Sequence, residues 1–497
     1  MYQYLFLPLL STKRWHVHWD GSTLYFRCVS SSFTKYCFAL LLFVILYLYN
    51  VRIQYIIATD WLLLPIYLGF ILMIGILIKG RIKHPVDKKY FMWGLYAKLF
   101  GAIAFASIYA YNYGGGDTTS YHKSAHVLIN LSHYDFNAFW QLMKGNMEAQ
   151  YLTAFTADTG YPLYRHDPQA FAANRFLVPF VWLGAKRFLL STVVLSFFMY
   201  LVVFRFYRFL SDLYPDARRN AAIAVLFVQS VLFWSSGILK DSFTFSFALL
   251  CIVSLYHLII KPQKILRYLL YLIFSAYIVL SLKPYIFFAL FVAALIWLLL
   301  VQSKRIKNVF LKTVGVPAVS ALIIIGGIFA INQLGSFVGG YYTDIDKVAK
   351  QAVVIQDDLS RATYGENSFD IGNFDPSFSG MLSKFPQAVM AGLYRPFLWE
   401  SGNLLMIFSG LENILLLLLS LYVLLRAGPL KFIKQVFSDP FIAFCLIYAI
   451  ILSFFIGLTT ANFGALVRYR IPMLPFFTFA LIMICFNTKK LKIKLNK

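Results

Sequence analysis

With 497 residues, of which 60% are hydrophobic, 19% aromatic and 13% charged, the chain cannot be a soluble domain of ordinary composition; it reads as an integral membrane protein with many spans. The net charge of +24 would suit a nucleic-acid binder, but the basic residues fall in short tracts between apolar runs. That is the pattern of cytoplasmic loops, so nucleic acid is excluded as a partner.

Residues 1–35 are a mixed segment without the basic start and cleavage site of a signal peptide, and read as an interfacial arm or a tail. From residue 36 to 497 the chain reads as one polytopic domain. The first spans are expected over 36–57 and 61–79, a hairpin around Ala58-Thr59-Asp60. The tract KGRIKHPVDKK then marks a cytoplasmic loop, so a third span over 90–111 crosses outward.

It delivers Gly114, Gly115, Gly116 and Asp117 to the outer face. Three glycines let the backbone turn sharply and approach a ligand. Asp117 opens a polar helix, where it is either an N-cap or an acid/base or metal-binding carboxylate. The first large outer loop, 112–186, carries two segments with amphipathic helical periodicity, Ser120–Leu131 and Phe136–Met147, expected to lie on the membrane surface. Four of the eight histidines are here, and His122 and His126 have the i,i+4 spacing of a metal pair. Asp117, His122 and His126 are therefore the candidate metal ligands, and a divalent ion is left open as the cofactor. Ordinary surface histidines are the alternative. The five cysteines have no motif spacing and imply neither a disulfide framework nor a zinc site.

Spans are expected next over 188–204, 220–236, 243–260, 268–282, 285–301 and 313–331, their connections alternating between basic and weakly charged. On the outer side this places Lys240 and Asp241 in WSSGILKDS, and Lys283 in LKPY. The bland reading of Lys240–Asp241 is a solvated turn that pairs with itself. Lys283 sits in so short a connection that its ammonium must face headgroups or a cavity, where a phosphate is a natural partner.

A second large outer loop, 335–403, is acidic over Tyr341–Pro376 and reads as a solvated cover or an acceptor-binding surface. It ends in LYRPFLWESGN. There Arg395, Trp399 and Glu400 suit either an aromatic-belt anchor or a fork that holds phosphate beside an indole. The last spans are expected over 404–425, 438–457 and 470–486. Glu412 would lie about 14 Å inside the first of them, which makes it either functional or paired. Arg468, Tyr469 and Arg470 stand at the outer mouth of the final span, where two arginines run against the charge bias and can each grip phosphate. The expected fold is thus all-α, with about twelve transmembrane helices, both termini cytoplasmic and no internal repeat.

Asp117 in a first large outer loop, helices behind it and the closing segment VRYRIPMLP resemble the bacterial polytopic glycosyltransferases of the GT-C class. Arg395-Pro396-Phe397 and Lys240-Asp241 are similar to elements of the related O-antigen-type polysaccharide polymerases. The likeness covers the chain from about residue 90 onward. This chain departs from the GT-C pattern in having Asp117-Thr118 where a pair of acids is typical, and in having two spans before the loop. The resemblance implies an enzyme of the bacterial inner membrane that takes a sugar from a polyprenyl-phosphate or pyrophosphate donor to a glycan or lipid acceptor. Asp117 would be the base, with Arg395, Arg468, Arg470, Lys240 and Lys283 holding phosphate. Tyr121, His122, Asp241, Trp399, Glu400, Glu412 and Tyr469 are secondary candidates. A polymerase joining lipid-linked repeat units is the alternative within the class. A transporter or flippase, with Glu412 as coupling site, is the rival outside it. An acyltransferase is disfavoured, because the only histidine in a span is His257, near the cytoplasmic end.

Overall fold

A computed structural model describes residues 55–304, 306–308, 310–323, 325–326, 345–359, 368–372 and 374–495. The arm 1–35 and nearly all of the expected span 36–57 lie outside them. The described chain is all helical, apart from one isolated bridge between Ser368 and Asn462.

Eight described helices are long and apolar enough to cross a membrane: Ala58–Arg81, Pro85–Asn112, Phe188–Leu213, Lys240–Ile260, Ile265–Leu282, Pro284–Ser303, Leu404–Ala427 and Pro440–Thr459. A ninth crossing forms if Phe463–Tyr469 and Leu474–Thr488, bent by 67°, count as one. This is the fold of a multi-pass membrane protein, with fewer described crossings than twelve. The expected span 220–236 is instead two short helices, Arg218–Leu226 and Gln229–Trp234, broken at Phe227 and Val228. Neither glycine nor proline marks that break, so hydropathy reads straight through it. Of 313–331, an apolar helix is described only over Thr313–Ile323.

Burial sorts the long helices. Phe188–Leu213, Lys240–Ile260 and Pro440–Thr459 are mostly covered by protein, and apolar side chains run all round them. Ala58–Arg81 is peripheral and leaves Leu62, Ile66 and Phe70 uncovered, as a lipid-facing helix does. Lys240–Leu255 packs against Phe188–Leu213 and Ile265–Leu282, while Pro440–Thr459 packs against Pro284–Ser303 and the short helix Phe385–Tyr394. The last of these contacts is a backbone-to-backbone approach. A Cβ on Gly457 would lie 1.9 Å from the Ala388 carbonyl oxygen, and one on Gly392 2.3 Å from that of Ser453.

The first large loop is more built than its periodicity suggested. Asp117–Tyr134 packs on Pro168–Leu183, a helix not expected from the sequence, and buries Tyr121, His122, Leu128 and Leu131. The first expected amphipathic segment therefore rests largely on protein. Phe136–Lys144 is stopped by Gly145 in the left-handed region, φ 100°. Among its described residues the second loop has the α-helices Ile345–Leu359, Phe378–Ser383 and Phe385–Tyr394 and the short 3-10 helix Leu398–Glu400.

Candidate functional site

Gly114, Gly115 and Gly116 all have positive φ, 63°, 119° and 133°, so only glycine suits this turn. The turn sets Asp117 at the first position of its helix. The side chain does not cap that helix: Thr119 Oγ1 accepts from the Gly116 N–H at 3.1 Å instead. The Asp117 carboxylate is left half-exposed, with Oδ1 accepting from the Tyr164 hydroxyl at 3.1 Å and Oδ2 3.5 Å from the Arg468 guanidinium.

Arg468 joins Asp117 to a second carboxylate. Its NH2 lies 3.5 Å from Asp241 Oδ2, and Asp241 Oδ1 accepts from Lys283 Nζ at 2.5 Å. Lys283 also sits 3.7 Å over the ring of Tyr469. Four residues drawn from a stretch of more than three hundred positions thus form one chain: Asp117, Arg468, Asp241 and Lys283. Lys240, next to Asp241, turns instead to Asp167 at 3.7 Å. Asp167 is held in place by its own helix, accepting from the N–H groups of Gln169 and Ala170. The self-paired turn expected as the bland reading of Lys240–Asp241 is therefore not what forms.

The cluster lines two adjoining cavities. One, of about 230 Å³, has Asp117, Lys240, Asp241, Lys283 and Arg468 on its polar side and Leu282, Phe288, Ile355 and Phe455 on its apolar side. The other, of about 960 Å³, shares Asp117, Arg468 and Tyr469 and is walled by Tyr109, Tyr113, Trp234, Asn403 and Asn462. Gln351 and Ile355, from the acidic second loop, line both. Asp358 of that loop lines the larger one; Asp344 and Glu366 lie outside the described residues.

Contact lengths rank the cations. The Lys283–Asp241 pair is short and buried, so Lys283 is committed to its carboxylate. Among the described residues Arg468 has two carboxylate contacts, both at 3.5 Å, lies 6.0 Å over the ring of Trp234, and has a buried Nε–H without a hydrogen-bond partner. A buried guanidinium N–H left unmade costs free energy that an incoming oxyanion would recover. Burial also pulls the Lys283 ammonium down to about 8, against the opposing pull of Asp241.

Other expected site residues lie elsewhere. Arg395 forms a two-toothed pair with Glu400, with NH2–Oε1 at 2.6 Å, and packs over Phe369 and Phe463. Trp399 stacks on Phe397 and is 77% exposed, which fits the anchor reading and not the phosphate fork. Arg470 is fully buried; it donates to the Arg395 carbonyl at 3.1 Å and lies 3.8 Å from Glu412. Glu412 in turn accepts from the Ser230 N–H at 2.8 Å, so this intramembrane carboxylate is paired. Arg395 and Arg470 line neither cavity.

The candidate metal ligands Asp117, His122 and His126 are not gathered on one site. His122 is buried edge-on against Phe188, and burial pulls it down to about 3. Asp117 and His126 are nine positions apart on one helix, about half a turn around it. No group of three metal-ligating side chains is found among the described residues. Tyr121 does line the smaller cavity, its ring 5.4 Å from that of Tyr164. Tyr164, Asp167 and Gln351 were missed. Only the turn chemistry at Asp167-Pro168 gave a signal, and it pointed to a helix start.

No family model, curated protein or solved structure matches the chain. The reading of the site therefore rests on its own chemistry: a half-exposed carboxylate beside a partly buried arginine with an unmade hydrogen bond, between two cavities.

Proposed function

We propose that the protein is a membrane glycosyltransferase whose donor is a polyprenyl-phosphate- or pyrophosphate-linked sugar, and that it works at the outer face of a bacterial inner membrane. The observation that carries this reading is Arg468, set partly buried between two carboxylates with its Nε–H unpaired, next to the half-exposed Asp117. Arg468 and Lys240, whose carboxylate contacts are long, turn to the donor phosphate. Lys283 and Asp241 hold Arg468 in position. The acceptor hydroxyl attacks the anomeric carbon while Asp117 takes its proton; the bond from that carbon to the phosphate oxygen breaks, and the electron pair stays on the phosphate. One displacement of this kind inverts the anomeric centre. Arg395, paired with Glu400, and Arg470, buried outside both cavities, have no part in it. The same chemistry serves a polymerase when the acceptor is itself a lipid-linked repeat unit, and product length tells the two apart.

Arg468→Ala, expressed in a host lacking the native copy and present at normal membrane level, is expected to lose surface glycan and to accumulate the lipid-linked saccharide on the outer leaflet. Accumulation on the inner leaflet would instead indicate a flippase, and unchanged glycan would remove the proposal.

The alkaline limb of kcat/KM gives a second test. Lys283 is charged below about pH 8 and neutral above it, and neutral Lys283 no longer balances Asp241. Activity is expected to fall about tenfold per pH unit above that point, a limb that Lys283→Arg moves beyond the measurable range. A limb that is the same in both proteins would exclude Lys283 as its source.

A further inference from the structure

The opposite end of the helix bundle holds a separate cavity of about 470 Å³, whose polar lining is Arg81, Arg205, Arg208, Asp212, His257 and Tyr268. It is formed where Ala58–Arg81, Phe188–Leu213 and Lys240–Ile260 end and Ile265–Leu282 begins. Lys240 and His257 stand near the two ends of one helical segment, about 25 Å apart at 1.5 Å per residue. The two sites are thus distinct.

Two of the cations here, Arg81 and Arg205, have no carboxylate partner among the described residues, while Arg208 shares Asp87. Arg205 donates to the Tyr268 hydroxyl at 3.2 Å and lies over the rings of Tyr268 and Tyr271, at 5.4 and 5.0 Å. His257 stacks on Tyr268 at 4.3 Å, from a stretch of helix wound in the wider π form over Tyr256–Ile260. Such local unwinding often accompanies a binding site. Arg205 Nε and His257 Nδ1 are both buried without a hydrogen-bond partner. Arg208 leans on Asp87 at 3.4 Å, but that carboxylate already accepts from Arg218 and Tyr207, each at 2.8 Å. Arg81 is exposed and makes no ion pair among the described residues. Three guanidinium groups therefore share the cavity with a single lining carboxylate, the exposed Asp212. The flanking helices expose Leu77, Leu266 and Leu270, apolar surface fit for acyl chains.

We propose that this cavity binds the phosphate headgroup of an anionic membrane phospholipid, with Arg81 and Arg205 on its oxygens and the acyl chains along the exposed leucines. The guanidinium fork suits phosphate, and a basic pocket between membrane helices suits a lipid that brings both charge and chains. The site does not depend on the glycosyl-transfer reading.

The test uses the full-length protein in neutral detergent, with native mass spectrometry and thermal unfolding after addition of phosphatidylglycerol, phosphatidylethanolamine or inorganic phosphate. Phosphatidylglycerol is expected to be retained and to raise Tm in the wild type. Its retention is expected to fall about fivefold in Arg81→Gln and more than tenfold when Arg205→Gln is added. The single variant, at an exposed helix end, keeps the test open if the double variant does not fold. Equal retention by wild type and Arg81→Gln overturns the proposal. So does equal stabilisation by phosphatidylethanolamine, or by inorganic phosphate at the same concentration.

Discussion

Asp117→Asn is expected to lower glycosyl transfer by about 10²- to 10⁴-fold, the usual contribution of a positioned general base, without lowering the protein's membrane level or its Tm. The substitution keeps an oxygen able to accept from the Tyr164 hydroxyl and removes only the charge and the proton-accepting capacity. Stability changes little because Asp117 is half-exposed, its contact with Arg468 is long, and its helix is capped by Thr119. Asp117→Glu separates position from charge. It restores a base but moves it by about one methylene, and a misplacement of about 1 Å can itself cost about 10²-fold. Purified enzyme assayed on its lipid-linked donor gives all three rates. Equal rates for wild type and Asp117→Asn would reduce Asp117 to a turn residue.

The second large effect is on stability. Lys283→Met leaves Asp241, which is 1% exposed, with only the 3.5 Å contact to Arg468. Breaking a buried ion pair from one side costs about 3–5 kcal/mol, because the remaining charge has lost its partner; Arg468 keeps the expected loss at the lower end. Adding Asp241→Asn removes that stranded charge and is expected to restore most of the stability. Activity should not return with it, since Arg468 has then lost both the carboxylate and the lysine that hold it beside Asp117. Unfolding in detergent and transfer assays on the two single variants and the double variant complete the cycle. A double variant that is as unstable as Lys283→Met alone would mean that the pair does not act as a unit.

Much of the site was legible in the sequence for one physical reason: charges placed on short connections between apolar spans need a partner. Lys240, Asp241, Lys283 and Arg468 were marked in this way and Asp117 by the glycine turn before it in a large loop; all five line the same cavity. What could not be read was who pairs with whom. Asp241 reaches past Lys240 to Lys283, and Lys240 reaches back to Asp167, because the first turn of the Lys240 helix points its two charges at different neighbours. Arg468 and Arg470 looked equivalent. The bend at the end of Phe463–Tyr469 leaves one in the cavity and the other buried against Glu412 and the Arg395 carbonyl. For the fold, long apolar runs gave most of the crossings to within a few residues. The break at Phe227–Val228 and the helix Pro168–Leu183 did not show, since in both places tertiary packing decides what local hydropathy does not.

The most direct measurement is made in proteoliposomes containing the purified protein and the host's own lipid-linked saccharide, with mass spectrometry following the carrier lipid. The proposal predicts that wild type releases polyprenyl phosphate or pyrophosphate in step with formation of a longer glycan, and that Asp117→Asn releases none. Movement of intact lipid-linked saccharide between leaflets with no carrier released would contradict it.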